Sequence, residues 1–160
     1  MSACAGSPPM PDVGEQTPDF KLPSTSGDIR LREAIGRSKV VLAFYYEDAT
    51  PVCSNELAML RDDYELVREL GAEVIAVSAD NLASHEAFVA RLGGLPFPLA
   101  SDEKLEAAKV FGVVDDAGKR SRRAVFVIDR GGKLLHAERW FQPGNPSQYE
   151  AIFRALGLKE

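Results

Sequence analysis

Val40-Val41-Leu42-Ala43-Phe44-Tyr45 runs directly into Tyr46-Glu47-Asp48-Ala49-Thr50-Pro51-Val52-Cys53-Ser54-Asn55-Glu56, and the join between the two decides the fold. The first six residues are continuously apolar, β-branched or aromatic, the pattern of a strand buried on both faces. The strand ends at Tyr45 or Tyr46 and a helix begins near Thr50. Thr50 is a good N-cap, and Pro51 suits the first helical position, where its missing N–H would have no partner anyway. Leu57, Leu60, Tyr64 and Val67 then recur at spacings of three and four until Gly71 ends the segment.

The same alternation continues outward. Residues 74–77 and 124–128 read as two further buried strands. Helical patterns cover 84–92, closed by Gly93-Gly94, then 105–111, and finally 149–156 before Gly157. Gly131-Gly132 turns the chain into 133–140, an antiparallel partner for the third strand. This order predicts an α/β domain with a central mixed sheet and helices on both faces. Residues 1–12 are rich in Pro, Gly and Ser without periodicity and read as a flexible tail, leaving 13–160 as a single domain.

The 160 residues are 45% apolar and 27% charged, with a net charge of −5, normal for one soluble domain. A phosphate-binding surface needs a clustered basic excess, so nucleic acid is not an expected partner. The one short basic cluster, Lys119, Arg120, Arg122 and Arg123, reads as a solvated loop beside a strand, with Arg120 and Arg122 as surface salt-bridge partners. No apolar run has the length of a bilayer span, and the first fourteen residues lack the basic start and apolar core of a secretory signal. The cytoplasm is therefore the expected compartment, and membranes are not an expected partner. Two cysteines, Cys4 and Cys53, build neither a disulfide framework nor a four-ligand zinc site. His85 and His136 have no second ligand at metal spacing and read as surface or packing residues; no metal is expected. The 44–46 run and Trp140-Phe141 read as core, although an exposed Trp140 or Phe141 would mark a dimer contact.

Cys53 falls in the first turn of its helix. Free backbone N–H groups and the positive end of the helix dipole favour an anion there, and the thiolate is the reactive form of cysteine. The carboxyl end of a central strand is also where α/β sheets place ligands. The competing reading is a small buried residue, which free cysteines often are. The convergence of strand, cap, proline and helix turn on one thiol favours the nucleophile.

These residues resemble the peroxiredoxin family, whose members carry Pro-x-x-x-Thr-x-x-Cys between a strand and a helix. Thr50 and Cys53 match the last two fixed positions, and Thr-Pro-x-Cys is common in the bacterioferritin-comigratory branch. Arg123-Ala124-Val125-Phe126-Val127-Ile128-Asp129 fits a second family feature, an Arg three residues before a Phe in a strand ending Ile-Asp. Pro18-Asp19-Phe20, Val77-Ser78-Ala79-Asp80 and Phe97-Pro98-Leu99-Ala100-Ser101-Asp102 support it, so the resemblance runs from about residue 13 to 156. It implies a thioredoxin-like fold and a cofactor-free, thiol-dependent peroxidase acting on hydrogen peroxide or organic hydroperoxides through a cysteine sulfenic acid. Cys53 is the implied nucleophile, with Thr50 and Arg123 as donors to the peroxide. The implied partners are the peroxide and an external thiol reductant, a thioredoxin-like protein or a low-molecular-weight thiol, with the chain a monomer or homodimer.

The sequence departs from the family pattern in places. Tyr46 stands where the motif has proline. Tyr46, Pro51, Val52 and Glu56 are expected to form the substrate pocket. Glu56 either relays a proton or simply compensates the helix dipole. Position 58 is Ala, so the resolving cysteine found there in part of the branch is absent, and a one-Cys mechanism follows. Cys4 is the only internal candidate for resolution, and an idle tail thiol is the favoured reading of it. With Glu at position 56 there is no Cys-x-x-Cys, against a disulfide reductase. The alternative function is a non-catalytic thioredoxin-fold module that senses oxidants or binds a protein.

Overall fold

The computed structural model describes residues 11–48 and 50–158. A short antiparallel pair, β1 (Lys21–Leu22) and β2 (Ile29–Arg30), leads into α1 (Leu31–Arg37) and the central strand β3 (Lys39–Phe44). Two helices follow, α2 (Pro51–Asp62) and α3 (Tyr64–Glu69), then β4 (Ala72–Ser78), α4 (Leu82–Arg91), β5 (Leu99–Ser101) and α5 (Glu106–Phe111). The hairpin β6 (Ala124–Ile128) and β7 (Leu134–Glu138) and the helix α6 (Pro146–Ala155) complete the fold. The main sheet runs β5-β4-β3-β6-β7, parallel on the β4 side of β3 and antiparallel on the β6 side.

Strand alternation explains why β3 is apolar throughout. Val40, Leu42 and Phe44 enter a cluster with Leu31, Ile35 and Phe111, on the side of α1 and α5. Val41, Ala43 and Tyr45 enter a second cluster with Cys53, Leu57, Val67, Phe88 and Phe153, on the side of α2, α3, α4 and α6. Successive side chains point to opposite faces, so a strand covered on both sides shows no polar position. The expected mixed sheet with helices on both faces is what forms.

Several boundaries move for local reasons. The single helix expected from 50 to 70 breaks at Asp63, where φ is −100° and ψ 12°. The Asp63 carboxylate there accepts a 2.7 Å hydrogen bond from the Tyr149 hydroxyl of α6. Helix α4 starts at Leu82 because Asn81 caps it, accepting from the Ser84 N–H at 2.9 Å. Helix α6 starts at Pro146 behind the Asn145 cap, the pairing of cap and first-turn proline already seen at Thr50-Pro51. The elements β1, β2, α1 and β5 went unpredicted: β1, β2 and β5 are two, two and three residues long and too short to develop a period, whereas α1 does carry a helical stripe in Leu31, Ala34 and Ile35. At the other end of the domain, Pro11 and Asp12 of the expected tail are tied down: Arg139 donates to the Pro11 carbonyl at 2.6 Å. Cys4 lies outside the described residues.

Candidate active site

The site is built where β3 ends and α2 begins. Thr50 has extended backbone (φ −75°, ψ 148°), and its hydroxyl oxygen accepts from the Cys53 N–H at 3.3 Å. The same hydroxyl donates to the Glu47 carbonyl at 3.2 Å, so the cap is braced from both sides. Cys53 is fully buried against the second cluster, while Pro51 and Val52 face outward.

Arg123 arrives from a point 70 residues later in the chain. Its neighbour Ala124 pairs with Phe44, which places Arg123 at the end of the sheet from which α2 departs. Val125 and Val127 belong to the cluster that contains Cys53, and alternation puts Arg123 on that same face. The Arg123 Nε is buried and has no hydrogen-bond partner among the described residues.

Glu56, one turn after Cys53, is also buried, and neither carboxylate oxygen has a hydrogen-bond partner among the described residues. Burial pushes its carboxyl up from 4.5 to about 8, with the Arg123 charge pulling the other way. A carboxyl whose charged form is disfavoured by burial offers the helix start little negative charge. The signal for its burial was the stripe of Cys53, Glu56, Leu57 and Leu60 on one helical face.

Beside Arg123 lies an open cavity of about 300 Å3, lined by Tyr46, Asp115, Asp116, Arg122, Arg123, Trp140, Phe141 and Gln142. Among the four residues expected to form the pocket, only Tyr46 lines this one; Pro51 and Val52 sit on the surface and Glu56 lies in the interior. Tyr46 and Trp140 are not core residues. Tyr46 lies past the end of β3 and is exposed, and Trp140 is 63% exposed past the end of β7. Phe141 is buried as expected. Arg120 does pair with carboxylates, Asp80 at 3.1 Å and Glu47 at 3.6 Å, and lies over the Tyr46 ring, 5.6 Å from its centroid. Arg122 instead stacks on Trp140, 3.9 Å from the ring centroid, and donates to the Gly112 carbonyl at 3.0 Å.

The sequence model of the AhpC/TSA family matches residues 13–137. The chain belongs to this family, the peroxiredoxins. It is 38% identical over 132 residues to Peroxiredoxin Q, chloroplastic, of Triticum aestivum, covering 81% of this chain and 60% of that protein. It is 36% identical over 135 residues to the chloroplastic 2-cysteine peroxiredoxin of Chattonella marina var. antiqua, covering 78% and 69%. Among solved structures, peroxidoxin BcpB from Mycobacterium tuberculosis superposes with a TM-score of 0.82 at 28% identity, covering 91% of this chain and 96% of that one. Reduced 2-Cys peroxiredoxin of Plasmodium vivax gives 0.79 at 28% identity, covering 90% and 93%. The fold is therefore thioredoxin-like, as peroxiredoxins have. The chain spans about 60% of the length of the Peroxiredoxin Q relatives of wheat and Arabidopsis thaliana.

His85 is the residue whose role the sequence missed most completely. It is fully buried, a packing residue in part, but it is also hydrogen-bonded through both ring nitrogens. Nδ1 lies 2.9 Å from an Asp48 carboxylate oxygen and Nε2 lies 3.1 Å from the Ala100 carbonyl. The signal for burial was present: Leu82, His85, Phe88 and Val89 share one helical stripe, and an apolar stripe faces the core. His136, on β7, lies beside the Glu138 carboxylate and away from this network.

Proposed function

We propose that this peroxiredoxin is a thiol-dependent peroxidase in which Cys53 attacks a hydroperoxide. The observation that carries the reading is the meeting of three groups at one end of the sheet: Cys53 in a capped first turn, Arg123 with an unpartnered buried Nε, and the buried acid Glu56. A sulfur lone pair of the Cys53 thiolate attacks the terminal peroxide oxygen. The O–O bond breaks, its electron pair leaves on the departing oxygen, and that oxygen takes a proton to become water or an alcohol. Sulfur is oxidised to the sulfenic acid and the peroxide is reduced. Negative charge moves from sulfur to the leaving oxygen, so donors fixed along that path stabilise the transition state. Arg123 supplies several donors in a rigid fork, while the Thr50 hydroxyl, whose one proton goes to the Glu47 carbonyl, holds the helix start in place. Glu56, one turn after Cys53 and held protonated by burial, is the nearby acid whose pKa lies close to working pH, as proton exchange with the site would require.

With Ala at position 58, recycling falls to an external thiol. The thiol attacks the sulfenic sulfur, water leaves, and a second thiol reduces the mixed disulfide. Stopped-flow measurement of peroxide consumption by the reduced chain tests the reading directly. Rapid stoichiometric loss of peroxide, abolished in Cys53→Ser, is expected; an inert wild-type chain would overturn it. Two observations favour the alternative of an oxidant-sensing module: Cys53 is fully buried, and Tyr46 stands in the position of the motif proline. A sensor would be oxidised once and show no multiple turnover with any thiol.

A further inference from the structure

Resting on the peroxidase reading, we propose that Asp48 and His85 are positioning residues for Cys53, holding the connection between β3 and α2 in its reactive shape. Asp48 stands two residues before the Thr50 cap and five before the nucleophile. Its carboxylate takes four contacts from three side chains. The Tyr45 hydroxyl donates to Oδ1 at 2.6 Å, the Ser84 hydroxyl donates to Oδ2 at 2.7 Å, and His85 Nδ1 lies 3.1 Å from Oδ1 and 2.9 Å from Oδ2. Its N–H donates to Asp80 Oδ2 at 2.9 Å. His85 in turn is fixed to the sheet through the Ala100 carbonyl on β5. The loop is therefore pinned from inside to α4, β5 and the turn that follows β4.

The network is shielded from water, with the His85 side chain at 0% and the Asp48 side chain at 5% exposure. Burial disfavours the Asp48 carboxylate, yet the hydrogen bonds from His85, Tyr45 and Ser84 outweigh it and hold the carboxyl below its ordinary value. A well-packed apolar group would fill such a space at no loss of stability, whereas a polar network fixes direction as well as volume. Here the direction is that of the residues leading to Thr50, whose two hydrogen bonds set the helix start at Cys53. A displacement of about 1 Å in a reacting group can cost on the order of a hundredfold in rate.

His85→Phe fills the volume and removes both contacts, whereas His85→Asn keeps a donor where Nδ1 stands. Peroxide oxidation of Cys53 is followed well below each variant's melting temperature. We expect His85→Phe to slow the second-order rate about tenfold or more, and His85→Asn to recover most of it. Wild-type rates in folded His85→Phe, or His85→Asn as slow as His85→Phe, would overturn the proposal. If His85→Phe does not fold, Ser84→Ala removes one Asp48 contact from a half-buried site; a slower rate supports the proposal and an unchanged one overturns it. Hydrogen exchange at the Cys53 and Ser54 amides separates this proposal from the peroxidase reading. Faster exchange is expected in each folded variant that lacks the contact, and unchanged exchange refutes positioning, whereas a peroxide-inert wild type refutes only the peroxidase.

Discussion

Replacing Glu56 with Gln should make the protein more stable at neutral pH and flatten its response to pH. The Glu56 carboxyl sits at about 8 in the fold against an ordinary 4.5, because burial disfavours its charge. Since the folded value is the higher, the protonated acid favours the fold. That contribution is complete below about pH 4.5 and is lost as pH rises toward about 8. At pH 7 the unfolded chain has gained about 2.5 pH units of ionisation that the fold refuses, at roughly 1.4 kcal/mol each. The cost of keeping Glu56 in place at pH 7 is then about 3 kcal/mol, roughly two-thirds of its full extent. Glutamine matches the shape of the protonated acid and has no proton to lose. The two proteins should therefore have similar stability near pH 5 and diverge by about 3 kcal/mol by pH 7. For a chain of this length that is roughly 6–12 °C in melting temperature. Urea or thermal melts of both proteins across that range read the divergence directly. Asp102 is also raised by burial, but it titrates in both proteins and cancels in the difference. Parallel pH curves would refute the reasoning, because they would mean that Glu56 is solvated or paired in the folded chain. Peroxide kinetics on the same samples then show whether the proton matters for chemistry.

Arg123→Lys keeps the charge but loses the rigid fork, and the second-order rate with peroxide should fall about a hundredfold while circular dichroism stays close to wild type. A wild-type rate would remove Arg123 from the mechanism. Thr50→Ala deletes the cap accepted from the Cys53 N–H and should cost about 1 kcal/mol in urea unfolding, with Thr50→Ser recovering it. Leu57 is fully buried one turn after Cys53, and Leu57→Ala should cost about 2–5 kcal/mol on the same assay. Cys4→Ser should leave turnover with a small-thiol reductant unchanged; a Cys4–Cys53 disulfide seen by mass spectrometry would show that the tail resolves the sulfenic acid.

What the sequence made legible here was local, and what it hid was held by contacts distant along the chain. The β3–α2 junction announced itself because the strand run, the Thr50 cap and Pro51 are adjacent and each has its own backbone preference. The break at Asp63 was hidden because it answers to Tyr149, 86 residues away. The Asp48–His85 pair was hidden for the same reason, being 37 residues apart, although the stripe through Leu82 and Phe88 marked the face that His85 occupies. Arg123 was reached through family resemblance, and the sheet supplies the physical reason that the resemblance works. Because β6 pairs with β3 in antiparallel register, Phe44 opposite Ala124, Arg123 sits level with the end of β3 and on the α2 face. A slip of one residue in that register would send Arg123 to the opposite face, toward α1 and α5, and bring Ala124 to the face of Cys53. The register is held by five consecutive buried residues, Ala124 to Ile128, alternating between the two clusters with no polar side chain among them. The apolar strand that carries no chemistry is thus what brings an arginine to the sheet face of a cysteine 70 positions away.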